Sequence, residues 1–199
     1  MKPRVADHLN KARATIAEVA RIVNLHKYPD DPRTVLVRGL MATLDQHHRG
    51  VLLLIDSGVV GSAYALVRDI IRCARFGLWI NSRAPSDHIL SLYREGEFVL
   101  SIPEMNKDIE AAYQGDPFFV ELRDRLAAKL DRYSRETIVR VGHFHLDPKS
   151  GLNHQDEEVR DAVTTATLCI VMLASKFLAT QKHAVESKQV EALATAYAK

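Results

Sequence analysis

The chain has 199 residues, 47% of them hydrophobic, and its 27 Lys and Arg against 25 Asp and Glu leave a net charge of +2. That length supports one full core, so residues 1–199 read as a single domain. The near-balanced charge excludes a global field that would draw the molecule to nucleic acid or anionic lipid.

In chain order, Val5, Leu9, Ala12, Ile16, Val19 and Val23 repeat at gaps of three and four, which predicts a first long helix with one apolar stripe. Tyr28-Pro-Asp-Asp-Pro32 predicts a turn and a new helix start. The second helix then runs to about Asp56 through Val37, Leu40, Met41, Leu44, Val51, Leu52 and Ile55, with Ser57-Gly58 as its stop. A third helix continues to about Ser82. Short helices are expected from Ser86 or Asp87 to about Glu97 and from Pro103 to near Gly115. Another is expected from Asp116-Pro117 to about Tyr133. Thr137 to Leu146 fits neither helical nor strand period cleanly and is assigned to helix, and Asp147-Pro-Lys-Ser-Gly151 is a loop. From about Gln155 a long terminal helix is expected, with Asp156, Glu157 and Glu158 at its positive end and a fraying, Ala-rich tail. The sum is an all-α, up-and-down bundle of four long helices with additional short ones.

Cys73 and Cys169 lack CxxC spacing and read as reduced core thiols. With no apolar signal core at the start and no run approaching the ~18 apolar residues that a span requires, a cytoplasmic chain without a membrane segment is expected.

The candidate chemistry gathers on the third helix, where Gly61, Tyr64, Arg68, Arg72, Arg75 and Trp79 share one stripe of an otherwise apolar surface. That stripe is either a window to water or the floor of a polar cleft. In the second case Arg68, Arg72 and Arg75 would hold a carboxylate or phosphate, with Tyr64 and Trp79 as walls. His48 falls on the apolar stripe of the second helix with Asp45 three residues earlier, the spacing of an imidazole whose tautomer a carboxylate fixes, as a catalytic general base uses. The competing reading is a core histidine satisfied by that aspartate. His143, His145, Asp147 and His154 lack a helix-borne third ligand, so no metal and no cofactor is assigned. The basic residues from Arg123 to Arg140 alternate with Glu121, Asp124, Asp131 and Glu136, as on a solvated helical face.

At Ser62-Ala-Tyr-Ala-Leu-Val-Arg68, preceded by His47-His48 and a helix ending in Ser57-Gly58, the chain resembles a bacterial all-helical family of unknown function. Members carry a histidine, then an SAxALxR helix, then a tryptophan, and the likeness spans about residues 35 to 115. It carries over His48, Arg68 and Tyr133. The chain departs from the pattern at Arg72, where an acidic residue is usual, and at Tyr133-Ser134-Arg135, where a Tyr-Thr/Ser-His triplet is usual. The bundle also resembles, distantly, the HEPN superfamily, whose RNA-cleaving members use an Arg-x4-6-His pair. Arg140/His145, Arg21/His26 and Arg83/His88 have that spacing, and Arg140/His145 is the best placed.

Three readings follow. The first is a binding module in which a cleft between the second and third helices, lined by the arginine stripe and His48, takes a small anionic ligand or a protein. The second, implied by the HEPN likeness, is metal-independent RNA cleavage with Arg140 on phosphate and His145 moving a proton. The third is an oligomer-forming bundle whose stripe meets another subunit.

Overall fold

The computed structural model describes residues 3–95, 101–125 and 156–197. Helix α1 spans Pro3–Val23, α2 Pro32–Asp56, α3 Val60–Ser82, α4 Ser86–Glu95 and α5 Ile102–Tyr113. Helix α6 starts at residue 117 and is described to 125; α7 spans Asp156–Thr180 and α8 Ala184–Tyr197. Four long helices and several short ones make an all-α bundle, as the periodicity predicts.

Local signals set most helix ends. The six predicted apolar positions of α1, Val5 to Val23, are all buried. Asp31 caps α2 by accepting the Thr34 N–H at 3.1 Å, with Pro32 in the first turn where its missing N–H costs nothing. The α2 stop is a Schellman turn: Gly58 takes φ 76°, its N–H donates to Ile55 O, and the Val59 N–H donates to Leu54 O at 2.7 Å. Ser101 and Glu104 form a capping box at the start of α5. Arg33 reaches across to the far end of α3 and donates to the carbonyls of Ile80, in the last turn of that helix, and Ala84, just beyond it.

The centre of the bundle is α7, flanked by α1, α2, α3 and α8. Every residue from 165 to 178 is buried, so this helix is enclosed on all sides rather than along one stripe. Its most apolar 18-residue window has a mean hydropathy of 1.8, long and apolar enough by composition to cross a membrane. This corrects the expectation that no such run exists. In the fold 89% of that window is packed inside the protein, where α7 serves as the core helix. At Gly77 α3 comes close against α7, since a Cβ there would lie 2.6 Å from Leu173 Cδ2.

The terminal helix differs from its sequence reading in two ways. It breaks after Thr180, and the tail beyond the break packs instead of fraying, with Val190, Ala194 and Tyr197 buried. The break is a second Schellman turn, in which the Lys182 N–H donates to Ala179 O and the His183 N–H to Leu178 O. Lysine, at φ 65°, occupies the left-handed position that glycine ordinarily fills, so no glycine or proline announces the stop. Because a side chain in that conformation costs about 1 kcal/mol, exposed Lys182 is a site for stabilisation. Lys182→Gly is expected to raise the unfolding free energy by up to about 1 kcal/mol, less the added entropy of the unfolded chain. A lower urea midpoint for the variant would show that the lysine side chain stabilises the turn.

Candidate functional site

The arginine stripe does not act as a unit. Arg72 is exposed over 70% of its side chain and lies 3.9 Å from Asp69 on its own helix. Arg68 and Arg75 are half-buried, whereas Tyr64 and Trp79 are buried. Helix α5 is the reason. It packs over the C-terminal half of α3 and turns the end of the stripe into interior, where Trp79 Nε1 donates to Asp108 at 2.9 Å and its ring stacks on Phe76.

Where α5 meets α3 there is a cavity of about 200 Å³ at Arg75, open to solvent on one side. Ile71, Ala74 and Leu78 of α3, Ile109 of α5, Phe119 of α6, and Cys169 with Met172 of α7 give it mostly apolar walls. The polar lining is Arg75, Asn106, Glu110 and Arg123. Arg123 binds Glu110 at 2.5 Å and Asp124 at 2.7 Å, so the glutamate is already engaged. Arg75 makes no hydrogen bond or ion pair among the described residues. Burial lowers its pKa, with Cys169 opposing, yet a guanidinium remains cationic at any physiological pH. The Cys169 thiol is pushed up to about 12 by burial, despite Arg75, and so stays a neutral thiol. Arg75 is therefore a partly desolvated cation facing an apolar chamber, an arrangement that favours an incoming anion.

The expected convergence of the stripe with His48 is corrected by this geometry. Helices α2 and α3 pack closely along their length, with Leu66 against Gly50, and His48 does not line the Arg75 cavity. His48 is 1% exposed and faces α7, its Nε2 3.0 Å from Thr167 Oγ1. Since the Thr167 hydroxyl donates to Val163 O at 2.8 Å, its oxygen accepts from the imidazole, which fixes the proton on Nε2. Burial lowers the His48 pKa to about 4, with Asp45 opposing and Arg13 and Arg49 adding to the fall. Asp45 does not orient the ring by an ion pair; it lies 2.8 Å from Arg49. His48 thus forms the polar floor of a groove between α1 and α2, with Ile16 and Leu52 beside it, and holds that floor to α7.

A related chain of polar contacts fastens the C-terminus. His8 Nε2 lies 3.0 Å from both Thr164 Oγ1 and Tyr197 Oη. Burial raises the Tyr197 pKa, opposed by hydrogen bonds with Thr167 and Thr164, so α8 ends in a packed phenol.

Arg140, His145 and Tyr133 lie outside the described residues, as do the ambiguous Thr137–Leu146 segment and the His143–His154 cluster. Sequence reasoning missed Arg123 and Glu110 as cavity residues. The charge pattern places Arg123 on a solvated basic face, but it lies four residues after buried Phe119 and therefore on the same side of α6. Comparison with protein-family models, with curated proteins and with solved structures finds no match to this chain.

Proposed function

We propose that the protein is a binding module for a small ligand with an anionic head and an apolar body, held in the Arg75 cavity. The observation that carries this reading is a half-buried guanidinium with no partner among the described residues, set in a chamber whose walls are otherwise mostly hydrocarbon. A carboxylate or phosphate on Arg75 would supply the missing charge-assisted hydrogen bonds. The remainder of the ligand would rest on Ile71, Leu78, Ile109, Phe119 and Met172. At about 200 Å³ the space is smaller than the roughly 300–1,000 Å³ of drug-sized sites, so the ligand is small. Of the three stripe arginines, Arg75 alone lines this cavity, and the proposed site moves from the α2/α3 seam to the junction of α3, α5, α6 and α7.

The test is a thermal-unfolding screen against short aliphatic and aromatic monocarboxylates and phosphate monoesters. A ligand that binds only the folded state should raise stability by about 2.7 kcal/mol at a hundred times its Kd. Arg75→Met should abolish that response while leaving the ligand-free protein as stable or more stable, because it removes a desolvated charge. Loss of stability in ligand-free Arg75→Met, or a ligand response equal to wild type, would show that Arg75 is structural.

A further inference from the structure

At the opposite type of junction, where two chain turns meet, His26, His183 and Glu186 come together. His26 follows α1, His183 immediately precedes α8, and Glu186 lies in the first turn of α8. One ligand atom from each falls within 4.8 Å of the others, and all three residues are half-buried. We propose that they form a binding site for a divalent transition metal of the zinc class, clasping the α1–α2 connection to the α7–α8 turn.

Both turns are held in place before any ion arrives. In the α7–α8 turn, the His183 N–H donates to Leu178 O at 2.9 Å, and the Ser187 N–H donates to His183 O at 2.9 Å. The Gln181 side chain donates to Thr34 Oγ1 at 3.2 Å, tying this turn to the start of α2. On the other side, Tyr28 donates its hydroxyl to Val23 O at 2.6 Å and packs its ring on Phe177 at 4.9 Å. The same ring stands edge-on to His183 at 5.8 Å, forming a wall of the cluster. Tyr28 itself is not a ligand. Its hydroxyl is committed to the Val23 carbonyl, and burial raises its pKa, opposed by Arg38 and reinforced by Glu186, so it stays a phenol.

The contact between the first two ligands is informative. His26 Nε2 lies 3.2 Å from Glu186 Oε1, an ion-pair distance at which the two atoms make no hydrogen bond. That separation leaves room for both atoms on one cation. With metal–ligand distances of about 2.0–2.2 Å in a tetrahedral shell, neighbouring ligand atoms stand about 3.3–3.6 Å apart, close to this separation. The His26 and His183 rings are stacked, with centroids 3.8 Å apart and planes 22° from parallel. One ligand atom of His183 already lies within 4.8 Å of the other two, so a small side-chain adjustment separates this arrangement from a closed shell.

Two imidazoles and one carboxylate select the metal class. Oxygen-seeking calcium and magnesium disfavour nitrogen ligands, whereas zinc, cobalt, nickel and copper accept this set. Three protein ligands leave a fourth position for water or an incoming donor, the composition of an open rather than a closed zinc site. The sequence does not connect these residues: His26 and His183 lie at opposite ends of the chain, and only the packing of α1 against α7 and α8 brings their turns together.

The experiment is titration of the full chain with Co²⁺, followed by its visible ligand-field absorption, and then displacement by Zn²⁺. Wild type should bind one Co²⁺ in a distorted tetrahedral shell and lose the absorption on adding Zn²⁺. His183→Ala and the isosteric Glu186→Gln should each weaken binding about 10-fold or more, while His143→Ala/His145→Ala should leave it unchanged. The absence of one-to-one binding by wild type would overturn the proposal. So would an unchanged Co²⁺ spectrum in His26→Ala/His183→Ala or an unchanged affinity in folded Glu186→Gln.

Discussion

Lys176→Met is expected to destabilise the protein by about 3 kcal/mol at neutral pH, which urea unfolding at pH 7 would measure. Lys176 is 2% exposed, and its ammonium lies 2.6 Å from Asp116 and 3.1 Å from Glu191, under the ring of Phe118. Methionine fills nearly the same volume, so the cost comes from the carboxylates left behind rather than from a cavity. Asp116 retains the Phe119 N–H at 3.0 Å, and Glu191 retains Lys188 at 2.6 Å and Ser175 at 3.0 Å, which keeps the loss to the lower end of the range for broken buried pairs. Burial alone would raise both carboxyl pKa values, but the bonds from Lys176 and its neighbours bring them below their usual values. The lysine therefore stabilises the ionised carboxylates, and its contribution is lost as pH falls through their folded-state pKa values. The gap between wild type and Lys176→Met should narrow in acid. A gap under 1 kcal/mol at pH 7, or one independent of pH, would mean that Lys176 is held by packing alone.

The second large effect is an acid sensitivity centred on His48. Its pKa is about 4 in the folded protein against 6.5 for the free side chain, because burial opposes protonation. A depressed pKa means that the unfolded chain takes up the proton first. The associated stability is complete above about pH 6.5 and is lost as pH falls toward 4. Full loss amounts to about 3 kcal/mol, at about 1.4 kcal/mol for each tenfold change in proton affinity. His8, whose pKa is also lowered chiefly by burial, contributes in the same direction. His48→Leu should be close to neutral at pH 7, since Thr167 keeps its bond to Val163 O, and more stable than wild type at pH 4.5. Parallel stability–pH curves for the two proteins would refute a proton-linked role for this imidazole.

A role for His48 as a general base also fails on these grounds. Its Nε2 is taken by Thr167 inside the bundle, and the aspartate that its spacing recommends is on Arg49. On a helix, residues three apart are neighbours, but which neighbour a side chain chooses depends on what else is within reach. Asp45 finds a guanidinium one turn away on the exposed side, and His48 finds a hydroxyl from α7 that is 119 positions distant in sequence.

The arginine row illustrates the same limit. Periodicity places Arg68, Arg72 and Arg75 on one face of α3, and the helix extends over the residues expected, from Val60 to Ser82. Periodicity is silent on what covers that face. Helix α5 encloses its far end and leaves Arg72 in solvent, so three equivalent positions become one exposed arginine, one half-buried arginine and one cavity arginine.

Among the described residues the sequence by itself determined the helices ahead of α7 and most of their ends, because apolar spacing, prolines, capping carboxylates and Gly58 act within one or two turns of the residue that carries them. It also determined the all-α class, since four long stripes of three-four spacing can bury their faces only against each other. The tertiary structure decided the stop between α7 and α8, where a lysine takes a glycine's conformation, and the enclosure of α7, whose composition alone would suit a lipid bilayer. It also decided which polar groups meet: Lys176 with Asp116 and Glu191, Arg75 with an apolar chamber, and His26 with His183 and Glu186. Asp116 with Lys176, and His26 with His183 and Glu186, join segments far apart in the chain, and their geometry follows from how whole helices pack, a long-range outcome that no local spacing encodes.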